Sequence, residues 1–161
     1  GAVTKRHFGT SRRVEKSRLI HIGKDTFKDS LPYADIDFKT EYQFLKKFIM
    51  THYADQAYII FPGGTGTMDF MMELIQLKQV NHMPRDIPII LYGRDFWMRY
   101  YEDVLRNMLL TGASFPMINP DDLNLMTFAD SVNEVQSIIT NFQKKRGWFG
   151  RVLSMIRKSS L

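Results

Sequence analysis

The chain has 161 residues, 44% of them hydrophobic, with 22 Lys and Arg against 17 Asp and Glu, a net charge of +5 and no cysteine. That length suits one domain with a sizeable core, and the lack of cysteine excludes a disulfide framework, a thiol nucleophile and a cysteine metal site. No apolar run of about 18 residues and no signal-peptide pattern occurs, so a soluble protein of the reducing cytoplasm is the expectation.

The basic excess sits at the two ends, in "TKRHFGTSRRVEKSR" and "QKKRGWFGRVLSMIRKSS". From Asp25 to Asp130 the chain is acidic, with 9 Lys and Arg against 15 Asp and Glu, so the positive average says little about a ligand of the core. No helix-turn-helix or RNA-binding motif accompanies the basic ends, which leaves them as solvated residues ahead of a nucleic-acid or membrane contact.

In chain order, "SRLIHIG" (17 to 23) is a short apolar run closed by glycine and reads as a strand. "KDTFKDSLPYADIDFKT" shows no sustained period and contains proline, so it reads as a loop. Thr40 then opens a helix with apolar Leu45, Phe48, Ile49 and His52 at helical spacing, His52 reading as a packing residue. "AYIIF" (57 to 61) is a continuous apolar run, expected to be a strand buried on both faces of a parallel sheet.

Past the glycines at 63, 64 and 66, Met68, Met71, Met72 and Ile75 repeat at helical spacing, and "IPIILYG" gives another apolar strand. "RDFWMRYYEDVLRNMLLTG" (94 to 112) is an aromatic-rich helix, "LNLMTF" a short strand, and Asp130 the cap of "SVNEVQSIITNF". Alternating strands and helices require crossover connections and hence a mostly parallel sheet. Residues 1–142 form that domain, and 143–161 a basic amphipathic tail whose Trp148, Phe149, Val152, Leu153 and Ile156 suit packing on the domain or on a partner.

The chemistry concentrates in "FPGGTGTMDFMMELI". A strand that ends in Pro-Gly-Gly-Thr-Gly-Thr and continues as a helix puts its turn at the carboxyl end of a parallel sheet, where ligands bind. Gly63, Gly64 and Gly66 permit positive φ and close approach, and the amides near Gly64, Thr65, Gly66 and Thr67 lie at the positive end of the helix dipole. That is a pocket for an anion, most naturally phosphate; the plainer alternative is a tight turn that only packs helix on sheet. No Lys-Ser/Thr pair follows, so a Walker A loop is excluded, and the spacing does not fit G-x-G-x-x-G. Asp69, Glu73 and Gln76 share one helical face, so two carboxylates could stand near the pocket to stabilise an oxocarbenium-like centre or activate water. A solvated helix face would give the same spacing. His7, His21, His52 and His82 are too widely spaced to form a metal set.

"FPGGTGTMDFMMELI" resembles the P-G-G-x-G-T-x-x-E signature of the Lonely Guy family, whose members are cytokinin riboside 5'-monophosphate phosphoribohydrolases long labelled "possible lysine decarboxylases". The likeness runs from "LPYADIDFKTEYQFLKKF" through "IPIILYGRDFW". It implies a Rossmann-like, doubly wound α/β fold, a homodimer, no cofactor, and a nucleoside monophosphate substrate cleaved to free base and ribose 5-phosphate. It gives the phosphate to Gly63, Gly64, Thr65, Gly66 and Thr67, with Lys47 alongside.

The family's catalytic arginine falls on Lys46 or, in a register shifted by the extra residue around "YADQA", on Lys47, with Lys46 preferred; its glutamate falls on Phe70, with Asp69 next to it and Glu73 at a second acidic position. Phenylalanine can neither stabilise a cation nor activate water, and lysine lacks the guanidinium fork. An altered hydrolase, with Lys46, Asp69 and Glu73 as catalytic residues, and an inactive nucleotide-binding or sensing module both follow. The family's N-terminal βαβ unit has no counterpart ahead of "GAV", so a partner chain or second copy is expected at the sheet edge.

Overall fold

The computed structural model describes residues 20–24, 34–83, 87–112 and 114–159, with the backbone alone beyond 147. The chain divides into two compact units, Gly1–Tyr53 and Ala54–Leu161.

In the first unit, β1 (Ile20–Lys24) and β2 (Ile36–Thr40) form a parallel pair in the register Ile20 to Ile36 and Lys24 to Thr40. The second of these strands corrects the expectation of a loop: "IDFKT" alternates apolar and polar residues, too briefly to stand out beside the preceding proline, and finds its ladder partners on β1. Thr40 consequently belongs to the strand. Its buried Oγ1 accepts the Tyr42 N–H at 3.2 Å, and helix α1 (Gln43–Tyr53) starts three residues later. His52 is exposed, not a core residue, and stacks on Phe48 with ring centroids 5.5 Å apart.

The second unit carries a three-stranded parallel sheet in the order β3 (Tyr58–Ile60), β4 (Ile89–Tyr92), β5 (Met126–Ala129). Helix α2 (Thr65–Gln79) crosses from β3 to β4. Helix α3 (Arg94–Tyr100) continues as a wider π-wound stretch over Tyr101–Thr111, and a short 3-10 turn (Pro120–Leu125) leads into β5. Helix α4 (Val132–Ser159) runs without a break through the proposed start of the tail. The side chains of Trp148, Phe149, Val152, Leu153 and Ile156, like His7 and the whole of the first basic stretch, lie outside the described residues.

Alternation along β4 explains why "IPIILYG" reads as apolar throughout. Ile89 and Leu91 face a core built with Met71, Leu74 and Ile75 of α2 and with Trp97, while Ile90 faces Val135, Ile138 and Ile139 of α4. Burying such a side chain stabilises by about 1.5–3 kcal/mol, and a central strand does so on both faces. Strand β3 does not: Tyr58 and Ile60 are buried, but Ile59 is 41% exposed on its other face.

The cap of α4 also differs from expectation. Ser131 Oγ accepts the Glu134 N–H at 3.3 Å, whereas the Asp130 carboxylate is turned to Arg94. Glu134 in turn reaches back to accept the Asp130 N–H at 2.8 Å. Ser-x-x-Glu is therefore the working start signal.

Candidate functional site

The glycine turn leaves β3 at its carboxyl end and enters α2 at Thr65. Gly64 is the N-cap, with φ −85° and ψ −158°, and no side chain caps the helix. The Gly64 carbonyl accepts the N–H groups of Thr67 and Met68 at 3.0 and 3.1 Å, which closes the first turn. The amides of Gly64, Thr65 and Gly66 have no bond among the described residues, as expected for the first positions of a helix, and all three residues are exposed. A 15-residue helix aims its positive end at the same point.

Of the two reasons expected for the glycines, positive φ does not apply in this turn. Of the described glycines only Gly93 takes a positive φ. At Gly63 the constraint is space: a Cβ there would run into Thr67 Oγ1 and stand 2.8 Å from Thr67 Cβ. Gly64 has nothing within 4 Å of such a Cβ, so its surface is open to a ligand.

Gly63, Gly64, Thr65, Gly66, Thr67, Asp69 and Glu73 thus lie together on one turn and the first half of one helix. Asp69 and Gln76 are exposed, while Glu73 is half-buried with its Oε2 enclosed. Phe70 leans the other way and packs against the main core. Lys46 and Lys47 lie on α1 of the first unit, both half-buried, with the Lys47 carbonyl accepting the Thr51 hydroxyl at 3.0 Å. Among the described residues no group of three or more histidines and carboxylates could hold a metal ion.

Beside the turn, a cleft of about 490 Å3 is lined by Met68 in the first turn of α2 and by Phe96, Arg99, Tyr100 and Asp103. Along the same edge of the sheet, Gly93 follows β4 and Asp130 follows β5. Arg94 donates its N–H to Asp130 Oδ1 at 2.7 Å and its Nε–H to Oδ2 at 3.2 Å. These bonds, the backbone one foremost, hold the Asp130 carboxyl below its ordinary value. Sequence reasoning had given Asp130 to the helix and passed over Gly93 and Arg94. The available signal was the Gly-Arg-Asp that follows an apolar strand, since a loop there must reach the ligand edge.

No helix among the described residues is long and apolar enough to cross a membrane. No curated protein matches the chain. Residues 15–139 match the model of the family described as "Possible lysine decarboxylase". That span takes in the parallel strands and the Pro-Gly-Gly-Thr-Gly-Thr turn, and the chain belongs to this family, the one its likeness to the Lonely Guy proteins pointed to.

Proposed function

We propose that this chain is a nucleoside 5'-monophosphate phosphoribohydrolase. Water adds to the sugar C1', the C1'–N bond breaks, and the base leaves with a proton, giving ribose 5-phosphate. The observation that carries the reading is the uncapped start of α2, with the exposed amides of Gly64, Thr65 and Gly66 at the carboxyl end of β3. Such a terminus binds phosphate without any side-chain charge. The likeness of "FPGGTGTMDFMMELI" to the Lonely Guy signature supports the reaction class.

In this reading Thr65 and Thr67 add hydroxyl donors, and Asp69 and Glu73 supply the carboxylates. One stabilises the cationic sugar while the other takes a proton from water. Lys46 and Lys47, on the first unit, are the cations that the family likeness assigns to the substrate. The chemistry calls for no cofactor. We also propose a second copy or a partner chain at the sheet edge. The exposed Phe44 and Phe48 of α1 support such a contact, and a monomer in sedimentation at micromolar concentration would overturn it.

One observation favours the other reading, a nucleotide-binding module without turnover: Phe70 stands at the place of the family's glutamate and is engaged in packing. Incubation with a panel of nucleoside monophosphates, with free base and ribose 5-phosphate quantified, separates the two. Base release establishes the hydrolase. Binding of the same nucleotides with no release leaves the binding module.

A further inference from the structure

The loops that leave β3, β4 and β5 are connected in series at the carboxyl edge of the sheet. Asp130, just past β5, holds both the N–H and the Nε–H of Arg94. Gly93 donates its own N–H to the Ala129 carbonyl at 2.9 Å, so the β4 loop is fixed to the end of β5 at two successive residues. Gly93 has φ +90° and ψ 75°, and a Cβ on it would stand 3.3 Å from Pro62 Cγ and 3.7 Å from Pro62 Cδ. Pro62 is the residue on which the glycine turn begins. The preceding residues of the two strands are also in contact, Phe61 and Tyr92 having ring centroids 5.1 Å apart.

We propose that Asp130 and Arg94 are positioning residues for the phosphate turn, acting through Gly93 on Pro62. The proposal rests on the reading that the turn receives a phosphate. The backbone amides at the centre of an anion site cannot adjust as a flexible side chain does, so their contribution to affinity depends on where the loop is held. The ion pair itself is about half exposed on both sides, a setting in which such pairs add little stability. Its geometric effect is larger: two bonds to one carboxylate fix the β4 loop in position and orientation, and the left-handed Gly93 then presents a flat, Cβ-free surface to the proline ring.

Arg94 is not placed to touch the ligand in this scheme. Its guanidinium lies over the Phe128 ring of β5, 5.6 Å from the centroid, on the side of β4 away from β3. That gives a distinctive ranking of variants. Asp130→Ala removes both bonds, whereas Arg94→Ala leaves the backbone N–H on Oδ1, so Asp130→Ala has the larger effect on the turn.

The test uses the full chain, with AMP and ribose 5-phosphate as probes, and reads calorimetric affinity together with the amide resonances of Gly64, Thr65 and Gly66. Asp130→Ala is expected to shift those resonances and weaken both probes by about 10-fold, with Arg94→Ala following at a smaller loss. Asp130→Asn, which keeps an acceptor, gives a smaller shift of the same amides should the alanine variant fold poorly. The double variant Pro62→Ala/Asp130→Ala is expected to lose no more affinity than the worse single one, because both act on one contact. Unmoved turn amides in the Asp130 variants overturn the proposal, as does Arg94→Ala weakening the probes more than Asp130→Ala, which would make Arg94 a direct contact. If the amides shift but the unaltered chain binds neither probe, the phosphate reading fails and the positioning of the turn stands.

Discussion

Phe70 packs edge-on against Tyr58, with ring centroids 6.2 Å apart and planes inclined at 67°. Tyr58 is 5% exposed, and burial raises its phenol above the ordinary range. The position at which the family carries a glutamate is thus occupied here by part of the apolar seam between β3 and α2. Phe70→Glu would restore the family's residue but set a carboxylate against that seam. Thermal or urea unfolding is expected to show a loss of about 1–3 kcal/mol, whereas Phe70→Leu costs less. A Phe70→Glu protein as stable as the original would mean that the side chain at 70 is free to face the turn.

Gly63 and Gly64 separate packing from binding. Gly63→Ala forces its methyl into Thr67, a β-branched residue whose Cβ cannot rotate away, and should destabilise by about 1–3 kcal/mol. Gly64→Asp has open space around it and supplies a capping carboxylate at the positive end of α2, so it should add up to about 1 kcal/mol of stability. The same carboxylate repels phosphate and occupies the amides that would hold it. Unfolding midpoints and AMP affinity should therefore move in opposite directions for Gly64→Asp, and a variant that gained stability while keeping its affinity would place the anion elsewhere.

The Arg94–Asp130 contact has a pH signature with a definite sign. The folded Asp130 carboxyl is held below its ordinary value near 3.8, first by the Arg94 backbone N–H and then by its guanidinium. Folding is therefore favoured by this group above the unfolded value, and that contribution fades as pH falls from about 4 through the folded value. The neighbouring Glu134, in the first turn of α4 and bonded to the Asp130 N–H, is a second carboxylate beside it. Melting temperatures of the original chain and Asp130→Asn should differ at pH 5 to 7 and draw together as pH falls through the folded value. The gap should be modest, because the pair is exposed and screened. A gap that widened on acidification would reverse the assignment.

Several of these features were legible in the residues alone. The strand at 58–60, the helix after the glycines and the apolar β4 announce themselves through period, because one face or two must be buried. β2 did not: five alternating residues after a proline look like loop until a partner strand is present, and the partner was itself read only from the short stretch "SRLIHIG". The strand-to-helix turn was legible because an apolar strand runs directly into the glycines and a helical repeat follows them. The cause assigned to its glycines was not, since left-handed backbone and lack of room for a methyl group give the same letters. Asp130 was misread for a related reason: Asp and Ser stand side by side before α4, and only the position of Arg94, 36 residues earlier in the chain, determines which one is left to cap the helix.

Lys78 is the residue whose letter misleads most. It is 1% exposed, on the buried side of α2 with Met71, Leu74 and Ile75, and its Nζ donates to the carbonyl of Ile87 ahead of β4. A buried charge is tolerated only with such partners, and here the bond joins the end of α2 to the segment entering the central strand. Lys78→Met keeps nearly the same length and volume, so its cost isolates the polar contact. The Ile87 carbonyl would lose this donor in a site closed to water, and the expected loss is about 1–3 kcal/mol in urea unfolding. Because the change is far along α2 from the uncapped amides, affinity for AMP should stay within about twofold. A Lys78→Met protein more stable than the original would show that desolvating the ammonium costs more than its hydrogen bonds return.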